Sequence, residues 1–160
     1  MTGTTELFDS EAGYHAAIDL TLTGAQREIR IFDRDLLSMA LEERARVARL
    51  DDFLAASRDH HLHVILHDID VLQTRLPRLL ALMRERALQV EVRRTPEHLR
   101  SLSDCWFLAD AHSGTIRFHV DHARGKRVAN TPAEVQPWWR RADDLWQQSE
   151  PCTPWLTTGL

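Results

Sequence analysis

The chain has 160 residues, 43% hydrophobic and 28% charged, a balance that suits one soluble domain able to bury a sizeable core. Its net charge of −4 argues against a broad electrostatic grip on nucleic acid, and no apolar run approaches the ~20 residues of a membrane-crossing helix. Cys105 and Cys152 are too few for a disulfide framework, and Met1-Thr2-Gly3-Thr4-Thr5-Glu6 lacks the basic start and apolar centre of a secretory signal, so a cytoplasmic location is expected.

In chain order, a helix is predicted over 10–27, capped by Asp9 or Ser10, with Tyr14, Ala17, Ile18, Leu22 and Ala25 as its apolar stripe. A strand follows over 28–32, broken by Asp33-Arg34-Asp35. A second helix covers 41–58 and a second strand 61–67. A third helix is predicted over 74–87, with Leu76, Leu79, Leu80 and Met83 on one face and Pro77 tolerated in its first turn. The strand over 88–93 alternates Leu88, Val90 and Val92 with polar residues, which predicts one core face and one wet face.

Thr95 to His98 reads as a helical turn. A hairpin is predicted next, from the continuously apolar 105–109 through a turn at 111–114 to 115–121, where Ile116, Phe118 and Val120 alternate with polar residues. Thr131-Pro132-Ala133-Glu134 is a capping-box signature opening a last helix, with Val135, Trp138, Trp139, Ala142 and Trp146 on one face. The tail over 151–160 reads as irregular. Strands alternating with helices predict a single α/β domain over 1–160, with a mixed, mostly parallel sheet flanked by helices.

Open α/β sheets bind ligands at the carboxyl ends of their strands. Those ends carry Asp33 and Asp35, then His67, Asp68 and Asp70, then Arg93 and Arg94. Convergence of these groups on one cleft would suit a metal-bridged phosphate or a small polar ligand. The competing reading makes Asp33, Asp68 and Asp70 caps of the following helices. The histidines do not suggest a metal centre: His61 and His63 share a strand face, but His67 lies ~13 Å beyond His63. His119 and His122 should point to opposite faces of an extended strand. Cys105, between apolar neighbours, reads as a buried, inert thiol.

The stretch Ser103-Asp104-Cys105-Trp106-Phe107-Leu108-Ala109-Asp110 resembles the His-x-Lys-x4-Asp strand of the phospholipase D-like superfamily. Support comes from Ile29-Arg30-Ile31-Phe32-Asp33, Val64-Ile65-Leu66-His67-Asp68 and Trp146-Gln147-Gln148-Ser149, in that order, within a core of about 25–149. The resemblance extends to a bacterial family in which such a domain occurs alone or beside an acetyltransferase domain. Asp110 matches the motif's Asp. Ser103 stands at the position of the nucleophilic His and Cys105 at that of the phosphate-holding Lys, and the following Gly-Ser is absent around Arg117-Phe118.

The resemblance therefore implies half of a phospholipase D-like fold, pairing as a homodimer, with no catalytic residues and no cofactor. The function expected is a non-catalytic binding or regulatory module. Its partners would be a second copy of the chain and an acetyltransferase domain or protein, with neither nucleic acid nor a membrane among them. The alternative is a metal-dependent enzyme acting on a phosphate-containing substrate through the strand-end Asp, His and Arg groups.

Overall fold

The apolar runs around Ile31, Val64 and Phe107 become the middle of one eight-stranded sheet in the computed structural model, which describes residues 3–156. The strands are β1 (Thr4–Phe8), β2 (Glu28–Asp33), β3 (His61–Leu66), β4 (Val90–Arg94), β5 (Cys105–Ala109), β6 (Ser113–His119), β7 (His122–Ala129) and β8 (Glu150–Cys152). They lie in the order β1-β7-β6-β5-β2-β3-β4-β8. Helices α1 (Glu11–Gly24), α2 (Arg44–Ala55), α3 (Asp70–Arg75), α4 (Pro77–Glu85) and α5 (Pro132–Gln148) cover its two sides, and Glu97–Leu99 forms a 3-10 turn.

Side-chain alternation divides the core. Ile29, Ile31, Leu62, Val64, Val92 and Phe107 pack against Tyr14 and Ile18 of α1, Leu50 and Leu54 of α2, and Leu79 and Met83 of α4. Phe32, Ile65, Trp106, Leu108 and Ile116 face Val135, Ala142 and Leu145 of α5. With both faces covered, the central strands are apolar at nearly every position, and each fully buried Leu or Phe contributes roughly 1.5–3 kcal/mol.

The sheet is mixed, as the sequence predicts, but only β2–β3 and β3–β4 are parallel pairs. The five remaining pairings are antiparallel. Three of these pairings involve strands absent from the sequence reading, and the other two are the expected β5–β6 hairpin and β2–β5. β1 is an exposed edge, β7 is polar along most of its length, and β8 has three residues and a proline. Gly125 in β7 is required by close approach, since a Cβ there would collide with the Ile116 carbonyl and the Phe8 ring.

Other boundaries shift for identifiable reasons. Ser10, not Asp9, caps α1, its hydroxyl accepting the Gly13 amide at 3.0 Å. The helix expected over 74–87 is two helices, because Pro77 starts a new one at its first position. Leu88 is fully exposed, since β4 begins at Val90. No capping box forms at α5: the Thr131 hydroxyl donates to the Ala129 carbonyl, and Glu134 instead accepts from Thr5. Of the tail read as irregular, 151–152 join β8, while 157–160 lie outside the described residues.

Candidate functional site

The strand-end residues do not form one cluster. Asp33 follows Ile29 and Ile31 in parity and sits on the α1 side, whereas His67 follows His63 and Ile65 onto the α5 side. Asp33 is 1% exposed; its carboxylate accepts the Leu36 amide at 3.0 Å and the Ser38 hydroxyl at 3.3 and 3.4 Å. Burial pushes this carboxyl above its ordinary range, against the opposing pull of hydrogen bonds such as that from the Leu36 amide.

His67 is also buried, with Nε2 donating to the Leu102 carbonyl at 2.8 Å and Nδ1 2.7 Å from the Thr95 hydroxyl. Both ring nitrogens are therefore committed to structure. Asp35 accepts the Leu37 amide and Asp68 the Asp70 amide, at 3.0 and 2.8 Å, as turn residues do. Asp70 lies exposed in the first turn of α3. Arg93 bonds Glu91 and the Trp146 carbonyl, and Arg94 lies exposed beside Glu150 on the sheet edge.

The stretch from Ser103 to Asp110 has three distinct environments. The Ser103 carbonyl accepts the Val120 amide at 2.7 Å. Cys105 is 1% exposed beside Asp33, and burial raises its thiol far above the ordinary range, so no thiolate forms. Asp110, in a left-handed conformation with φ 60°, accepts the amides of Gln26, Arg27 and Glu28 at 2.7, 2.8 and 2.8 Å. It ties the α1–β2 connection to the β5–β6 hairpin. No histidine is a hydrogen-bond partner of the Ser103 or Cys105 side chain among the described residues.

Arg117, which the sequence reading named only where the motif's Gly-Ser is absent, is the cross-strand partner of Cys105. The predicted alternation placed Ile116, Phe118 and Val120 inward. In a sheet covered on both sides, Thr115, Ile116 and Arg117 are all buried, while Phe118, where a register shift interrupts the β6–β7 pairing, is exposed. The Arg117 guanidinium sits 4.9 Å from the Tyr14 ring centre, with Nε and Nη2 donating to the carbonyls of His119 and Val120. Its outer edge meets Glu11 in a two-pronged ion pair of 2.7 and 3.1 Å, which lowers the Glu11 carboxyl below its usual range. Tyr14 is fully buried, and its hydroxyl has no hydrogen-bond partner.

On the α5 side, Arg30 lies 3.7 Å over the Trp139 ring and bonds Asp143. Trp146 is stacked by His63 at 4.4 Å and by Arg93 at 4.2 Å. A cavity of about 150 Å³ opens beside these groups, lined by Arg30, His63, Trp106, Asp143 and Trp146. His119 and His122 are neighbours after all, with ring centres 5.5 Å apart, because the chain turns between them and pairs them across β6 and β7. Among the described residues, no three His, Cys, Asp or Glu side chains are placed to hold a metal ion.

Comparison with known proteins places this geometry. No curated protein matches the chain. TrmBL2, an archaeal chromatin protein, superposes with TM-score 0.66 at 12% identity over 92% of this chain, which spans about half (54%) of the TrmBL2 chain. The phospholipase D family member Nuc from Salmonella typhimurium gives 0.63 at 13% identity, covering 94% of this chain and 99% of its own. NucT from Helicobacter pylori gives 0.57 at 9% identity, covering 94% and 100%. The fold is thus phospholipase D-like, and a family model for a domain of unknown function, DUF7931, matches residues 9–155: the chain belongs to that family.

Proposed function

We propose that this domain is a non-catalytic phospholipase D-like module that binds a ligand or partner, working as a symmetric dimer. The reading rests on the environment of Cys105, at the position that carries a phosphate-holding lysine in the catalytic motif. Its thiol is buried, kept neutral by that burial, and lies 3.8 Å from the Ser103 carbonyl. Ser103 likewise offers a hydroxyl to which no histidine among the described residues is hydrogen-bonded as a base. In this reading the motif is degenerate, and only its Asp110 persists, as a clamp on backbone amides.

Charge disfavours DNA as the ligand, although TrmBL2 is a chromatin protein that binds DNA. The net charge is −4, and two of the basic residues on β7 are neutralised in place, Lys126 by Glu134 and Arg127 by Glu6. An acetyltransferase-bearing partner belongs to the same proposal, on the strength of the sequence resemblance alone.

The test is turnover of bis(4-nitrophenyl) phosphate, with and without EDTA, alongside light scattering at micromolar concentration. No turnover and a dimer are expected. Metal-independent turnover abolished by Ser103→Ala or Cys105→Ala would overturn the non-catalytic reading, and turnover lost only in EDTA would favour the metal-dependent alternative. A monomer of 18.5 kDa throughout would remove the dimer.

A further inference from the structure

We propose that Arg117 is the receptor of a small oxyanion-binding site, taking a ligand's phosphate or carboxylate group, and that Glu11 is the displaceable carboxylate now seated in it. The proposal rests on the reading of this domain as a binding module and supplies the chemical class of its ligand.

The asymmetry of the pair is the first argument. The Arg117 side chain is 3% exposed, whereas that of Glu11 is 58% exposed. The guanidinium is held from behind by the His119 and Val120 carbonyls and rests on the Tyr14 ring. What remains is a two-pronged donor edge turned outward, with a geometry that fits two oxygens of a carboxylate or a phosphate. Glu11 fills that edge from a solvated side chain with rotatable torsions, so it can leave without disturbing anything packed behind it.

The surrounding charge is the second argument. Glu11 occupies the first turn of the 14-residue helix α1, at the positive end of its dipole, where an anion is favoured. A buried guanidinium left unpaired is strongly unfavourable, so when Glu11 departs another anion must replace it. Position is the third argument. Arg117 is the cross-strand partner of Cys105, so the receptor adjoins the stretch from which the catalytic His and Lys are missing.

The experiment follows the Arg117 Nε–H resonance by NMR while inorganic phosphate or acetate is added to the wild-type protein and to Glu11→Gln. The variant keeps the shape of the side chain and removes its charge. Phosphate, acetate or both should bind Glu11→Gln about tenfold or more tightly than wild type, as expected when a charge-assisted competitor is removed, with the Arg117 resonance moving as binding saturates. The arm that saturates identifies the group the ligand carries. If Glu11→Gln binds neither anion more tightly, or if the Arg117 resonance stays still, the inference fails. Assaying the same samples for phosphodiester turnover separates the two ideas. Turnover would sink the non-catalytic reading and leave the anion site standing, while a silent titration without turnover sinks the anion site alone.

Discussion

His63 and Trp146 lie face to face, with ring centres 4.4 Å apart and planes 5° apart, joining the third strand of the sheet to the end of the last helix. Burial lowers the imidazole pKa from its ordinary 6.5, partly opposed by Glu28 and Glu91. The unfolded chain therefore takes up a proton before the folded one does. The stability contributed by neutral His63 is complete above pH 6.5 and is lost as pH falls through the depressed folded value. Denaturant midpoints measured from pH 8 to pH 5 should fall, and His63→Phe should remove part of that fall. A pH dependence identical in the variant would exclude His63 as a source.

Asp33 should behave in the opposite sense. Its folded pKa is raised above the ordinary 3.8, chiefly by burial, so the folded state prefers the protonated carboxyl. That preference is fully present below pH 3.8 and disappears as pH rises through the folded value. Asp33→Asn, which keeps an acceptor for the Leu36 amide, should therefore gain stability relative to wild type as pH rises from 4 to 8. Parallel stability curves for the two proteins would refute this account.

Asp110→Ala removes the acceptor for three amides at once and should cost roughly 2–4 kcal/mol in chemical unfolding, as the loss of hydrogen bonds to a charged group does. Asp110→Asn keeps an oxygen in place and should lose less. Equal losses in the two variants would mean that a neutral oxygen holds none of the three amides and that the clamp depends on the carboxylate charge alone.

Leu108, fully buried in β5 and facing α5, should cost about 2–5 kcal/mol when changed to alanine, the range for large-to-small core substitutions. A loss under about 1 kcal/mol would place β5 at the periphery, against its position between β2 and β6.

Much of the scaffold is legible in the sequence because it follows local rules. The buried strands read as apolar runs, α1 starts beside a serine cap, and Pro77 stands at a helix start. The parts that stay hidden depend on distant neighbours. β1 owes its strand form to β7, and β8 to β4, through backbone pairing that leaves little trace in side-chain pattern. Strand parity separates Asp33 from His67, although both sit where a cleft was expected. Arg117 escapes an alternation rule that assumes one wet face, because α1 covers the side on which it lies.

The pairing of Thr4 with Ala129 also fixes an order of events during synthesis. Residues 4–8 leave the ribosome before the rest of the sheet, yet their neighbouring strand is complete only when Ala129 has emerged. Strands β2, β3 and β4 and their helices can assemble while that edge waits. A chain stalled before His122 would display an unpaired segment bearing the exposed Leu7, a ready template for association with other nascent chains.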